Sequence, residues 1–104
     1  MEKKLVLQKV KETVQRIDST AEVILFGSRA RGDARADSDW DFLILVNKED
    51  TIDLREQIWD SLYEEVELPL MQIISALIHE KANWQEVHRS TPLYHTIEKE
   101  GQSI

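Results

Sequence analysis

Asp39 and Asp41 stand two residues apart at the head of the run DWDFLILV, residues 39–46. Residues two apart on a strand project to one face, so the spacing predicts two carboxylates aimed at a single spot. Trp40, between them, should point the other way, into the core. Convergent carboxylates at the end of a rigid strand suit Mg²⁺, which takes oxygen ligands and keeps positions open for phosphate oxygens. Upstream, Gly27 and Ser28 open a segment that also holds Arg29, Arg31 and Arg35. Gly27 has no Cβ and lets an anion approach the backbone. Ser28 can donate its hydroxyl, and the amides that follow point at an anion if they open a helical turn. Arg29 and Arg31 can pair with phosphate oxygens in bidentate fashion. The bland counterparts are a helix cap at Ser28, solvated loop arginines, and Asp37 with Ser38 shaping the turn before the strand.

Two other motifs compete for the same letters and fail. Gly27 and Gly32 have the glycine spacing of a P-loop, but Asp33 and Ala34 stand where lysine and Ser/Thr must follow. Asp37, Asp39 and Asp41 imitate the start of an EF-hand loop, but its glycine and final glutamate are Phe42 and Lys48 here.

The elements that must position these residues follow from periodicity. Glu2–Thr20 reads as a helix whose apolar stripe is Val6, Val10, Val14 and Ile17. AEVILFG (21–27) has the β-branched density of a short buried strand. Residues 28–38 contain no apolar residue larger than alanine, and a connection of that length tends to be functional. Beyond Asp41 the second strand is apolar at every position, as a central strand covered on both faces should be. Thr51 and Asp53 open a helix lined by Ile58, Leu62 and Val66, with Trp59 and Tyr63 beside them, and Pro69 is expected to stop it. LMQIISALI (70–78) reads as a third strand, and its length leaves a helix open as the alternative. A short helix follows near Asn83–Arg89, and another starts at Pro92 and ends before Gly101. This order predicts one domain over residues 1–104 of the α/β (α+β) class, a small mixed twisted sheet with flanking helices.

Composition narrows the function classes. The 104 residues carry a formal charge of −7, which argues against a general nucleic-acid binder. No cysteine is present, so disulfides and thiolate metal sites are excluded. The N-terminus lacks the apolar run of a signal peptide, no stretch is apolar enough to span a membrane, and a cytoplasmic location is expected. His79, His88 and His95 have no partner among themselves at helical spacing, so surface or capping roles are expected of them. Trp59, Trp84 and Tyr94 should be core or partner-facing.

Gly27-Ser28, ten residues, then Asp39-x-Asp41 with FLILV behind it resembles the signature of the polymerase-β-like nucleotidyltransferase superfamily. The small chain resembles its stand-alone branch, the minimal nucleotidyltransferases. The resemblance implies a nucleotidyltransferase fold and transfer of a nucleoside monophosphate, AMP from ATP, to an acceptor. Asp39 and Asp41 would be the catalytic pair and hold one or two Mg²⁺, while Gly27, Ser28, Arg29 and Arg31 would bind the nucleotide. With two ions, one activates the attacking oxygen and the other stabilises the leaving one. The superfamily generally has a third carboxylate on a later strand. Here that strand offers Gln72, and Glu67 lies upstream of Pro69, so the reading favours Gln72 in that position and Glu67 outside the site. Larger members carry a further domain that holds the acceptor, for which this chain has no residues left. The resemblance therefore implies a partner, a small helical protein of the HEPN type, with this chain as the antitoxin-like subunit. The alternative is a nucleotide- and partner-binding antitoxin with weak or silent catalysis.

Overall fold

Val6, Val10 and Val14 recur at every fourth position and are fully buried along one stripe of α1 (Lys3–Ile17). The computed structural model describes residues 3–104, without the side chains of Val87 and His88. The expected helix start at Glu2 and the surface role expected of His88 lie outside those described residues. Strands β1 (Glu22–Phe26) and β2 (Trp40–Val46) pair antiparallel, with Phe26 opposite Asp41. Between them lies a four-residue helix, α2 (Ser28–Arg31). After β2, Thr51 caps α3 (Ile52–Leu62), its hydroxyl accepting from the Leu54 amide at 3.1 Å. The chain then returns as β3 (Ile74–Glu80), parallel to β2, with Asp41 opposite Ser75. Helices α5 (Lys81–His88) and α6 (Pro92–Glu100) follow, and β4 (Gln102–Ser103) pairs antiparallel with β1.

The sheet order β3-β2-β1-β4 places β2 inside, and Phe42 to Val46 are all buried. One face packs Val23, Leu25, Trp40, Phe42, Ile44 and Val46 against the α1 stripe and Leu54, Ile58 and Leu62 of α3. The other packs Leu43 and Leu45 against Trp84 of α5 and Tyr94 and Ile97 of α6. The mixed sheet with flanking helices is therefore as expected, and Trp84 and Tyr94 are core residues.

The third strand starts later than the expected 70–78. Tyr63–Glu67 forms a π-helical turn, and the chain stays helical through α4 (Leu68–Leu70). Pro69 sits in the first turn of α4, where a helix needs no N–H, so it does not stop the helix where its identity alone suggests. The break comes at Met71, which adopts the left-handed conformation at φ 52°. Gln72 consequently lies in a connection, not on the strand.

Strand β3 lies at the sheet edge, and side chains meet its outward-facing backbone. The Ile74 amide donates to Glu67 Oε1 (2.8 Å), while the Ala76 carbonyl accepts from Trp59 Nε1 (3.0 Å). Arg55 Nη2 donates to the Ile78 carbonyl (3.1 Å), and the same guanidinium pairs with Asp50 through two bonds of 2.6 Å.

Buried Asp18 joins the end of α1 to the end of β2. Its carboxylate accepts from the Asn47 amide (2.8 Å), the Thr20 amide (3.1 Å) and the Thr20 hydroxyl (2.8 Å). Burial pushes the carboxyl up, but these hydrogen bonds and nearby Lys48 outweigh it and hold it below the usual aspartate range. A depressed carboxyl stabilises the fold above the unfolded-state pKa and loses that contribution as pH falls through the folded value. Asp18→Ala is therefore expected to cost about 2–3 kcal/mol at neutral pH, from orphaned donors and a lost charge-assisted network. In urea unfolding the gap to wild type should narrow on acidification; a gap independent of pH would show that packing, not the carboxylate, carries the effect.

Candidate active site

At the N-terminal end of β2, Trp40 turns inward and is buried, while Asp41, on the opposite face, is half-buried. Asp39 immediately precedes the strand. Burial pushes the Asp41 carboxyl up, the charge of Asp39 adds to that, and Arg31 opposes both. The two aspartates thus interact electrostatically, although Asp39 stands just outside the strand. Such a pair is held at a cost in the absence of a cation.

Gly27 ends β1 and adopts φ 76°, ψ −159°, a conformation open essentially to glycine alone. A Cβ built there would lie 2.4 Å from Asp41 Oδ2. The glycine loop and the carboxylate, fourteen positions apart in the chain, are therefore in contact across the β1–β2 pair. Gly27 is also the N-cap of α2: its carbonyl accepts from the Ala30 and Arg31 amides, both at 3.0 Å. Ser28 is the first helical residue rather than the cap, and its side chain is partly exposed.

The two arginines diverge. Arg29 turns under the loop, where Nη2 donates to the carbonyls of Ala36 (3.2 Å) and Ser38 (2.8 Å). Its guanidinium lies 4.3 Å from the centre of the Trp40 ring, and its Nε is buried without a hydrogen-bond partner. Arg29 therefore fastens the loop to the start of β2 and so fixes the approach to Asp39. Arg31 faces the acids. It pairs with Asp33 (3.2 Å) and Glu100 (3.1 Å) and is felt electrostatically by Asp41. Ser38 Oγ accepts from the Arg35 amide at 2.8 Å, which gives Ser38 the turn-shaping role expected of it.

Glu100 is the residue that sequence reading missed. The carboxylate oxygen that meets Arg31 also accepts from the Gly27 amide at 3.1 Å. No local pattern announces a contact between residues so distant in the chain.

Neither Gln72 nor Glu67 lies on β3. Gln72 Oε1 accepts from the Trp40 indole (2.9 Å), and Glu67 is spent on the Ile74 amide. On β3, Ser75 lies directly opposite Asp41, and Ile73, just before the strand, accepts from the Trp40 amide at 2.9 Å. Among the described residues no three His, Cys, Asp or Glu side chains are grouped as metal ligands.

Beside this end of the sheet, apolar side chains reach solvent. Tyr63, Leu68, Met71 and Ile73 line a groove of about 420 Å³ with Glu67 and Gln72, and Met71 is 87% exposed. A smaller hollow joins Met71 and Ile73 to Ala36, Asp37 and Ser38 of the loop. No described helix is long and apolar enough to cross a membrane.

Residues 7–103 match the family described as nucleotidyltransferase domain. A comparison with curated proteins gave no match. Among solved structures, a chain described as "Crystal structure of the toxin-antitoxin with AMP-PNP" superposes with a TM-score of 0.64 at 17% identity, covering 92% of this chain and 69% of that one. That likeness is one of fold.

Proposed function

The chain belongs to the nucleotidyltransferase domain family, and on that premise we propose that it transfers a nucleoside monophosphate, AMP from ATP, to an acceptor, with Asp39 and Asp41 holding Mg²⁺. The observation that carries this reading is the meeting of Gly27 with Asp41. One contact joins the loop suited to phosphate and the carboxylates suited to metal.

The donor set fits a divalent cation. Two carboxylates that repel each other, one half-buried and with its proton affinity raised, gain most when a cation arrives. When bound, Mg²⁺ would neutralise phosphate charge and activate the attacking oxygen. This chain's own residues do the rest. Arg29, locked over Trp40, keeps the strand entry and Asp39 in place, the Ser28 hydroxyl donates to phosphate, and Arg31 supplies positive charge next to Asp41. The partner we propose is a small helical protein of the HEPN type. Its docking surface would be the apolar patch of Tyr63, Leu68, Met71 and Ile73, which adjoins Ala36, Asp37 and Ser38 of the loop that leads to the acids and would deliver an acceptor to them. The toxin–antitoxin description of the structural neighbour supports that reading.

One observation favours the quieter alternative, a nucleotide- and partner-binding module with weak catalysis. Ser75 stands opposite Asp41 where a third acid would take the acceptor's proton. The two readings separate in one assay that follows α-phosphate-labelled ATP onto the co-expressed partner. Wild type is expected to transfer slowly, and Ser75→Asp to raise metal-dependent transfer by about a hundredfold, the low end of general-base contributions. No label transfer by either protein, with nucleotide still bound, would leave the binding module.

A further inference from the structure

We propose that Glu100 is a resident anion that holds the phosphate position closed, so that nucleotide must displace its carboxylate to enter. The inference rests on the phosphate reading of Gly27 and Arg31 given above. One oxygen, Glu100 Oε1, accepts from both the Gly27 amide and Arg31 Nη1, each at 3.1 Å. Those are the groups that would meet a phosphate oxygen, so carboxylate and phosphate compete for the same donors.

The surrounding structure delivers Glu100 to that place. Gly101 makes the turn after α6: a Cβ there would lie 2.5 Å from the Ile97 carbonyl oxygen and 2.8 Å from Ile24 Cγ2. The chain then pairs along β1 as β4, and Gln102 Nε2 donates to the Ala30 carbonyl of α2 at 2.9 Å. Glu100 lies in the last turn of α6, where the helix dipole disfavours negative charge. It is nevertheless largely covered, with its side chain 19% exposed. Helix stability does not account for an acid there, whereas the Gly27 amide and Arg31 do.

Glu100→Gln keeps an oxygen acceptor for both donors and removes the charge. The probe is an ATP analogue with a methylene between the α and β phosphorus atoms, titrated calorimetrically with Mg²⁺ into the full chain. Glu100→Gln is expected to bind about three- to tenfold more tightly than wild type at low salt, and the ratio should shrink as salt screens the charge. Gln102→Ala loosens the same segment without touching the Gly27 amide, and its affinity should stay at the wild-type value. Thermal melts confirm that each variant is folded. Unchanged or weaker binding by Glu100→Gln overturns the proposal and leaves Glu100 as a structural tie, with the phosphate reading intact. Equal tightening by Gln102→Ala also overturns it, because looseness rather than charge would then be the cause. Failure of all three proteins to bind the analogue would overturn both the proposal and the phosphate reading.

Discussion

Asp41→Asn is expected to abolish metal-dependent binding of a triphosphate and, at the same time, to raise the thermal midpoint of the free protein. Both effects come from one geometry. Asp41 is half-buried, faces the charge of Asp39 and has only Arg31 to offset them, so its ionised form is held against burial and repulsion. Asparagine keeps the shape and removes the charge. The sign of the pH dependence follows. A carboxyl whose folded pKa is raised costs the fold most above that value, and the cost is relieved as pH falls through it. The stability gain of Asp41→Asn should therefore be full at neutral pH and should vanish in acid, opposite in sense to Asp18. Calorimetric melting across pH, beside titration with Mg²⁺ and a nonhydrolysable triphosphate, measures both. A destabilised Asp41→Asn, or equal nucleotide binding by mutant and wild type in the presence of chelator, would remove the metal site.

The largest loss of stability is expected from Gly27→Ala, about 2–4 kcal/mol, from forcing a side chain into a backbone region nearly closed to it and against a neighbouring group. From sequence, Gly27 matters because a phosphate must approach the backbone. The structure adds an internal reason, since the missing Cβ makes room for Asp41. The two costs can be separated. In Gly27→Ala with Asp41→Ala the carboxylate is gone and only the backbone penalty remains. The double mutant should therefore be less destabilised than the sum of the single changes, by about 1 kcal/mol or more for residues in direct contact. Strict additivity in urea unfolding would show that Asp41 moves aside freely and that the contact positions nothing.

The parts legible in the sequence are those where local letters and tertiary packing agree. Phe42 to Val46 could only be a covered central strand, Thr51 and Thr91 cap the helices they precede, and Gly27-Ser28 with Asp39-x-Asp41 marked the loop and strand that meet. The third strand misled because the letters of LMQII are equally apolar in a turn and in a strand. Its start depends on a π-helical turn and a left-handed Met71, neither of which apolar periodicity records. Trp59 looked like a core or partner-facing residue. It is not a core residue: it is 43% exposed, with its indole N–H on the Ala76 carbonyl. Arg29 and Arg31 were indistinguishable as letters. Only the fold turns one beneath the loop and the other toward the acids.

The side chains along the edge of β3 have a consequence for assembly. A sheet border with unsatisfied amides and carbonyls is a template on which a foreign strand can grow, whether from a second copy or a misfolded neighbour. Here Glu67, Trp59 and Arg55 already occupy positions on that template, each from the helical crossover that precedes the strand. The crossover thus covers part of that border in the folded chain. The opposite border is a two-residue strand, too short to nucleate much pairing. Sheet extension is thus hindered at both borders, which leaves side-chain surfaces as the readier ground for a complex.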